Sequence, residues 1–225
     1  MKLKTLILIF LFISKIDAQT INGSVIYSVK IGTDELFEKL DKDLKKSYIK
    51  DKESEVYTLE FEAYRSIFKY EGEMSPEGHN KPPKIYFKEK DSTYSLRPEN
   101  DMDFGKIIII ENRDTKWELT NETKTIDGYV CYKATSELIR KNGDTVFKFP
   151  IIAWYCPKIP FPFGPLGYGG LPGLILELQE RNVLYGVQKI NFNLPEMKPI
   201  TKPSEGKRIT QEELNRKISE MFKKK

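Results

Sequence analysis

The stretch from Trp154 to Leu178 reads WYCPKIPFPFGPLGYGGLPGLILEL and contains five prolines and five glycines. Proline restricts φ and glycine tolerates positive φ, so such a run is typical of tight turns. The tetrapeptide at 171–174, LPGL, predicts a type II turn, because proline suits its second position and glycine its third. Leucines at every second position from Leu174 to Leu178 then predict a half-buried strand directly after the turn.

Upstream of this stretch, residues 129–156 predict a long hairpin that reverses at the sequence KNGD. A loop formed by the asparagine and the glycine places Cys131 opposite Trp154, whereas a loop formed by the glycine and the aspartate places Cys131 opposite Cys156. Only the second register brings the two sulfurs within bonding distance. An oxidising compartment would favour the bond. We therefore expect a Cys131–Cys156 disulfide, with two buried free thiols as the alternative.

Alternate residues of this hairpin point to opposite faces of the sheet. The more apolar face is the expected core: Val130, Tyr132, Ala134, Leu138, Phe147, Phe149, Ile151, Ala153 and Tyr155. The proline-rich stretch adds aromatic and apolar side chains, which either plug one end of the sheet as core or form an exposed rim for an apolar ligand. The candidate ligand- or partner-binding residues are Trp154, Phe161, Phe163, Tyr168 and Leu171.

Apolar alternation predicts further strands on both sides of this region, including 25–31, 57–63, 67–70, 107–110 and 183–192. A change of parity between Val187 and Ile190 predicts a bulge. Helical spacing of apolar residues over 36–48 predicts an N-terminal helix on the sheet, and a capping box at Thr210 begins a C-terminal amphipathic helix. The predicted fold is mainly β (α+β): a single curved, half-barrel-like, mostly antiparallel sheet of about ten strands with these two helices.

The N-terminus has the parts of a secretory signal peptide, namely two lysines, an apolar run and a small-residue cleavage site before Gln19. We assign residues 1–18 to the signal, 19–200 to the β domain, and 201–225 to a linker and the C-terminal helix. The apolar run is too short to span a bilayer, so we expect no transmembrane segment in the mature chain. Lysines and acids are interspersed at a formal net charge of +4, which argues against a nucleic-acid-binding protein.

The sequence Gly170-Leu171-Pro172-Gly173-Leu174-Ile175 matches the signature of the GLPGLI family, which the chain resembles most closely over about residues 117–192. Further similar segments follow in the family's order: Ile126–Ala134, Ala153–Tyr155, Ile159-Pro160 and Gly164-Pro165. The resemblance implies an exported protein of the Gram-negative cell envelope, in the periplasm or on the periplasmic face of the outer membrane. The family has no known function and is often encoded beside outer-membrane receptors. Cys156 departs from the family pattern, which has threonine there.

Catalytic chemistry has little support in the sequence. The only histidine is His79, in a predicted exposed loop with Glu73 and Glu77, and catalytic, P-loop and zinc-binding motifs are missing. We therefore expect no catalytic residue, no metal and no cofactor, with a carboxylate-based hydrolase as the least favoured alternative. The expected function is non-catalytic binding of an apolar ligand such as a lipid, of a peptide, or of a partner envelope protein. The alternative is a structural accessory to an outer-membrane (TonB-dependent-type) receptor, without a ligand of its own.

Overall fold

The computed structural model describes residues 22–72, 85–97, 106–112, 115–142 and 145–223. The strands in chain order are β1 (Asn22–Ile31), β2 (Val56–Glu62), β3 (Arg65–Tyr70), β4 (Ile85–Glu89), β5 (Ser92–Arg97), β6 (Ile107–Asn112), β7 (Glu118–Ile126), β8 (Tyr129–Asn142), β9 (Thr145–Cys156), β10 (Leu174–Glu180), β11 (Val183–Phe192) and β12 (Lys207–Thr210). The helices are α1 (Glu35–Glu38), α2 (Lys42–Glu53) and α3 (Gln211–Lys223).

All of these strands belong to one open mixed sheet, in the order β12-β6-β5-β4-β3-β2-β1-β11-β10-β9-β8-β7. The predicted mainly β fold, built on a single and mostly antiparallel sheet, is confirmed. The strand count is twelve in the described residues rather than about ten. The signal segment 1–18 and the loop that holds His79 lie outside the described residues.

The predicted single helix over residues 36–48 is wrong, because the chain breaks between α1 and α2. The Asp41 carboxylate accepts hydrogen bonds from the backbone N–H groups of Asp43 and Leu44, at 2.9 and 3.4 Å, and so caps α2. A capping residue has a non-helical backbone, so Asp41 interrupts the apolar periodicity. Helix α2 contacts β1 as predicted, although none of its side chains is fully buried.

The predicted bulge is present, and tight turns connect two pairs of neighbouring strands. The β2–β3 hairpin reverses at Ala63 and Tyr64, and the β10–β11 hairpin reverses at Arg181 and Asn182. Along β1 and β11 the register steps from Ile26↔Lys189 to Tyr27↔Val187, which places the bulge within the predicted interval.

The last strand, β12, is a correction, since it lies in the segment assigned to the linker and the C-terminal helix. It pairs in parallel with β6, and Ile109 of β6 and Ile209 of β12 share one face with Leu214 of α3. The preceding segment is also packed, because Ile200 is buried on the opposite face of β6 against Ile108. The isoleucine run 107–110 is therefore covered on both faces.

The β8–β9 hairpin has the Gly143-Asp144 register, since Asn142 pairs with Thr145 and Tyr132 with Tyr155. One further step places Cys131 opposite Cys156, as that register predicts. The expected core face is only partly correct: Ala134, Ile151 and Ala153 are buried, but Val130, Tyr132 and Phe147 are exposed. The two cysteines, which are not on the list of expected core residues, are buried. The alternation of apolar and polar residues shows which side chains share a face of the hairpin. It does not show how far neighbouring strands and loops cover that face.

Candidate functional site

Residues 157–173, which connect β9 to β10, fold over one face of the sheet; we call this segment the plug. Four of the candidate binding residues belong to it and are buried in the main core, with 8% exposure at Phe161, 2% at Phe163, 3% at Tyr168 and 2% at Leu171. Phe161 packs against Phe61 of β2, with their ring centroids 4.5 Å apart. These side chains form core, one of the two alternatives that the sequence left open, and present no exposed aromatic rim.

Hydrogen bonds fasten the plug and the strand after it. The Tyr27 hydroxyl donates to the Ile175 carbonyl at 2.6 Å, and burial raises the pKa of Tyr27 well above its ordinary value. The Tyr168 hydroxyl donates to the Glu180 carboxylate at 2.6 Å, and the Trp117 indole Nε1 donates to the Gly169 carbonyl at 2.9 Å. These bonds hold the C-terminal part of the plug and the start of β10 in place.

The turn at residues 170–174 differs from the predicted type II turn. The Gly173 N–H donates to the Leu171 carbonyl at 2.8 Å, and the Leu174 N–H donates instead to Ile159. A bond between residues i and i+2 closes a γ-turn centred on Pro172. The residue with φ near +80° is Gly170, whereas Gly173 has φ +157° and a backbone packed against Cys156.

Trp154, the remaining candidate, lies apart from the plug residues in a row of side chains that crosses β7, β8, β9 and β10. The Lys124 ammonium lies 4.4 Å from the centroid of its ring and also forms an ion pair with Glu177. A cation over an indole ring is a stabilising contact. The half-buried Trp154 is therefore already covered by side chains of this chain.

Cys131 and Cys156 are buried free thiols in the structure, so the predicted bond is not present. Burial, and then the neighbouring Cys156 thiol, raise the pKa of Cys131 from 9.0 to about 12. A thiol that stays protonated is a poor nucleophile.

The hairpin β8–β9 extends beyond its neighbours on both sides. Pairing with β7 ends at Thr135 and pairing with β10 ends at Ile151, so residues 137–142 and 145–150 form a two-stranded arm. The arm exposes large apolar side chains that the sequence pattern had assigned to the core or left unassigned: Ile139, Val146 and Phe147. Phe147 stacks on Phe149, with centroids 6.3 Å apart, and Arg181 lies over Phe149 at 4.5 Å.

A groove of about 920 Å³ follows the outer edge of the arm, which we call the arm groove. Its lining is half apolar and half polar: Thr115, Lys116, Glu118, Thr135, Ser136, Glu137, Leu138, Ile139, Arg140, Lys148, Pro150, Ile151 and Tyr168. The Ser136 hydroxyl donates to the Lys116 carbonyl at 2.9 Å and closes the groove where β7 begins. Glu137 is paired with Lys148 at 3.0 Å.

A second groove of about 840 Å³ lies where the β2–β3 and β4–β5 turns meet the plug; we call it the tip groove. Its lining residues are Ala63, Tyr64, Lys88, Lys90, Asp91, Ser92, Thr115, Pro162, Phe163, Gly169 and Gly170. Among the described residues there is no group of three or more His, Cys, Asp or Glu side chains arranged to hold a metal. No helix in the described ranges is both long and apolar enough to cross a bilayer.

The sequence model of a family described as "Protein of unknown function (Porph_ging)" matches residues 140–177, from the arm through the plug into β10. Comparison with curated proteins gives no significant match. Two solved structures of PNGF-II, in space groups P21 and C2, are similar in fold, with TM-scores of 0.56 and 0.55 at 12% identity. Each alignment covers 88% of this chain and 33% of PNGF-II, so the chain spans about a third of that protein's length. The likeness is one of fold alone.

Proposed function

We propose that this chain is an exported, non-catalytic protein of the GLPGLI type that binds a partner protein of the cell envelope through its arm. The observation that carries the proposal is the unpaired strand edge along the arm groove. An exposed edge accepts an extended segment of another chain as an additional strand, and its backbone groups supply the hydrogen bonds.

The hairpin register shows which backbone groups are available. Residues that flank a two-residue loop form a hydrogen-bonded pair, and such pairs alternate along an antiparallel ladder. Asn142 flanks the loop opposite Thr145. The peptide groups of Arg140 and Leu138 therefore face β9, while those of Ile139 and Glu137 face the arm groove. No strand of the described part of the chain pairs with that edge.

The side chains around this edge suit a peptide better than a lipid. Leu138, Ile151 and Tyr168 offer apolar contacts, and Lys116 and Arg140 supply positive charge to an acidic residue of the partner. On the core face, the space beside the sheet is filled by the buried plug side chains Phe161, Phe163, Tyr168 and Leu171. A filled sheet with an exposed edge also suits the accessory function, with an outer-membrane receptor as the partner.

A pair of substitutions at one position tests strand addition. Ile139→Pro removes a backbone donor that faces the groove, whereas Ile139→Thr keeps the donor and β-branching but reduces apolar surface. Each variant is cross-linked in envelope extracts, and captured proteins are identified by mass spectrometry. We expect one partner to be retained by wild type and Ile139→Thr and lost with Ile139→Pro at an unchanged melting temperature. Equal capture by all three proteins would refute strand addition at this edge.

Export and oxidation are part of the proposal and have their own measurement. Mass spectrometry of envelope protein should show a chain that begins at Gln19. The same sample, alkylated after unfolding without reductant, should leave Cys131 and Cys156 unlabelled if the envelope has joined the two facing thiols. An intact Met1 on cytoplasmic protein would contradict the localisation.

A further inference from the structure

The outer edge of the arm has a backbone direction that contacts with β7 confirm. The Thr120 hydroxyl of β7 donates to the Lys133 carbonyl at 3.2 Å, so odd-numbered residues of β8 point their peptide groups toward this side. Pairing with β7 ends at Thr135, and the Ser136 hydroxyl donates to the Lys116 carbonyl. From residue 137 onward no strand of the described part of the chain pairs with this edge. Its outward peptide groups are those of residues 137, 139 and 141.

A second copy of the arm fits this edge in one register. A two-fold axis makes the two β8 strands antiparallel, and outward residues must then face outward residues. An axis at Leu138 would place residue 141 of the second copy opposite Thr135, where β7 already lies. An axis at Arg140 would place this arginine opposite its own copy, which like charges disfavour. An axis at Ile139 avoids both conflicts, and an axis nearer either end enters β7 or shortens the contact.

The register centred on Ile139 is self-complementary. Ile139, which is 53% exposed, lies opposite its own copy, so the pairing covers apolar surface of both chains. Leu138 lies opposite Arg140, and Glu137 lies opposite position 141, which is a lysine in the sequence. Three hydrogen-bonded pairs supply about six backbone hydrogen bonds. Glu137 already forms a surface ion pair with Lys148 at 3.0 Å, so the opposed charges favour the register and contribute little affinity.

We infer that a second copy of this chain occupies the arm edge, in the register centred on Ile139, until a partner strand displaces it. The inference rests on the proposed function, because both occupants use the same backbone groups. A contact of this length lies at the small end of specific interfaces, so the dimer is weak and populated only at high protein concentration. Such a dimer covers the edge in the free protein and yields to a longer partner strand.

Sedimentation equilibrium of the full chain over a range of concentrations tests the dimer. The mass of the wild type should rise toward that of a dimer, whereas Ile139→Pro should remain monomeric because it lacks an outward donor. Val146→Pro is the matched control. Its peptide group points to the opposite edge of the arm, where the Pro150 carbonyl accepts from the Arg181 N–H at 3.3 Å, so it should dimerise as the wild type does. A wild type that is monomeric at every concentration, or equal behaviour of the two proline variants, would overturn the inference.

Cysteine substitutions on the same edge test the register. Two opposed residues 139 have Cα atoms about 5.5 Å apart, within the range of a disulfide, whereas two residues 137 lie four positions apart, roughly 13 Å. Under mild oxidation Ile139→Cys should give a linked dimer, and Glu137→Cys should stay unlinked. Mass spectrometry of the linked peptides distinguishes this bond from bonds of Cys131 or Cys156. Preferential linkage of Glu137→Cys would refute the register.

The dimer and partner binding fail independently. A wild type that stays monomeric but captures an envelope protein, with capture lost in Ile139→Pro, would refute the dimer and leave the proposed function in place. A dimer with the expected linkage and no captured partner would support the inference about the second copy and refute the partner.

Discussion

Two glycines in the turn before β10, Gly170 and Gly173, are required for different reasons. Gly170 has φ +81°, and a Cβ there would have no atom within 4 Å, so only its backbone conformation favours glycine. Gly173 has φ +157°, and a Cβ there would lie 2.2 Å from the Cys156 carbonyl oxygen and 2.9 Å from Pro157 Cα. Both of these neighbours are backbone atoms of the chain entering the plug. Gly173 therefore sets how closely the start of β10 approaches the end of β9.

Alanine substitutions at Gly170 and Gly173 should distinguish the cost of backbone conformation from the cost of close packing. Gly170→Ala should lower the free energy of unfolding by about 1–2 kcal/mol, the ordinary penalty of a left-handed alanine. Gly173→Ala should lower it by about 3 kcal/mol or more, because overpacking of backbone adds to the conformational term. Urea unfolding of both variants measures the difference. Equal losses would show that the backbone near Cys156 relaxes freely.

The buried Cys131 thiol predicts a dependence of stability on alkaline pH in the reduced protein. Its pKa is about 12 in the folded chain and near the ordinary 9.0 when unfolded, so below pH 9 its contribution to stability is complete. As pH rises from 9 toward 12 the unfolded state loses its proton first, and stability falls. Buried tyrosines act in the same direction, so the wild type is compared with Cys131→Ala. The stability difference between the two proteins should shrink between pH 9 and pH 11, and a constant difference would contradict the shifted pKa.

Among the helices, α3 is stabilised both by a capping box at its first turn and by contacts of its apolar face with the sheet. The Thr210 hydroxyl accepts from the Glu213 N–H at 3.1 Å, and the Glu213 carboxylate accepts from the Thr210 N–H at 2.9 Å. This is the predicted capping box. Leu214 then packs against isoleucines of β6 and β12, so the helix begins where its apolar face meets the sheet.

Two truncations within α3 should therefore differ. Leu214 is 1% exposed and Met221 is 42% exposed. Leu214→Ala should reduce the free energy of unfolding by about 2–4 kcal/mol, whereas Met221→Ala should reduce it by less than about 1 kcal/mol. Thermal melts of both variants give the comparison. A silent Leu214→Ala would mean that the helix does not contribute to folding of the sheet.

In the assembled sheet, strand β12 and helix α3, which we call the C-terminal unit, cover one edge. Strand β12 occupies the outer edge of β6, and α3 covers Ile107 and Ile109. The opposite edge, β7, is mostly polar and carries an irregularity between Leu119 and Thr123. Charges and bulges are common protection for a strand edge. The arm carries both charged and exposed apolar side chains, and no strand in the described part of the chain pairs with its outer edge.

Removal of the C-terminal unit should therefore cause self-association. A chain that ends at Gly206 exposes the β6 edge and its isoleucines, and such a surface favours edge-to-edge pairing. A control chain that ends at Ser219 keeps Leu214 and Ile218. Size-exclusion chromatography with light scattering should show larger species for the shorter chain only. A monomeric shorter chain would mean that the edge is protected in another way.

Local sequence signals predicted the mostly antiparallel sheet, the β11 bulge and the capping box, because each depends on neighbouring residues in the chain, but they left two registers open for the β8–β9 hairpin. Alternation, turn chemistry and caps are local physical effects. Apolar spacing gave the wrong helix bounds over residues 36–48, because the cap at Asp41 starts a new helix within that range. The short strand β12 was also missed, because it depends on a parallel partner, β6, about 100 residues earlier.

Which apolar side chains are buried in the core and which lie on the surface depends on contacts between segments that are distant in sequence. Phe163 and Phe147 both lie in short segments rich in aromatic residues and proline. Phe163 is nevertheless buried, whereas Phe147 is exposed on the arm, which extends beyond the ends of β7 and β10. Burial depends on where non-adjacent strands end. The arm edge and the tip groove arise in the same way, because each is formed by segments that are distant in sequence and meet only after the sheet has assembled.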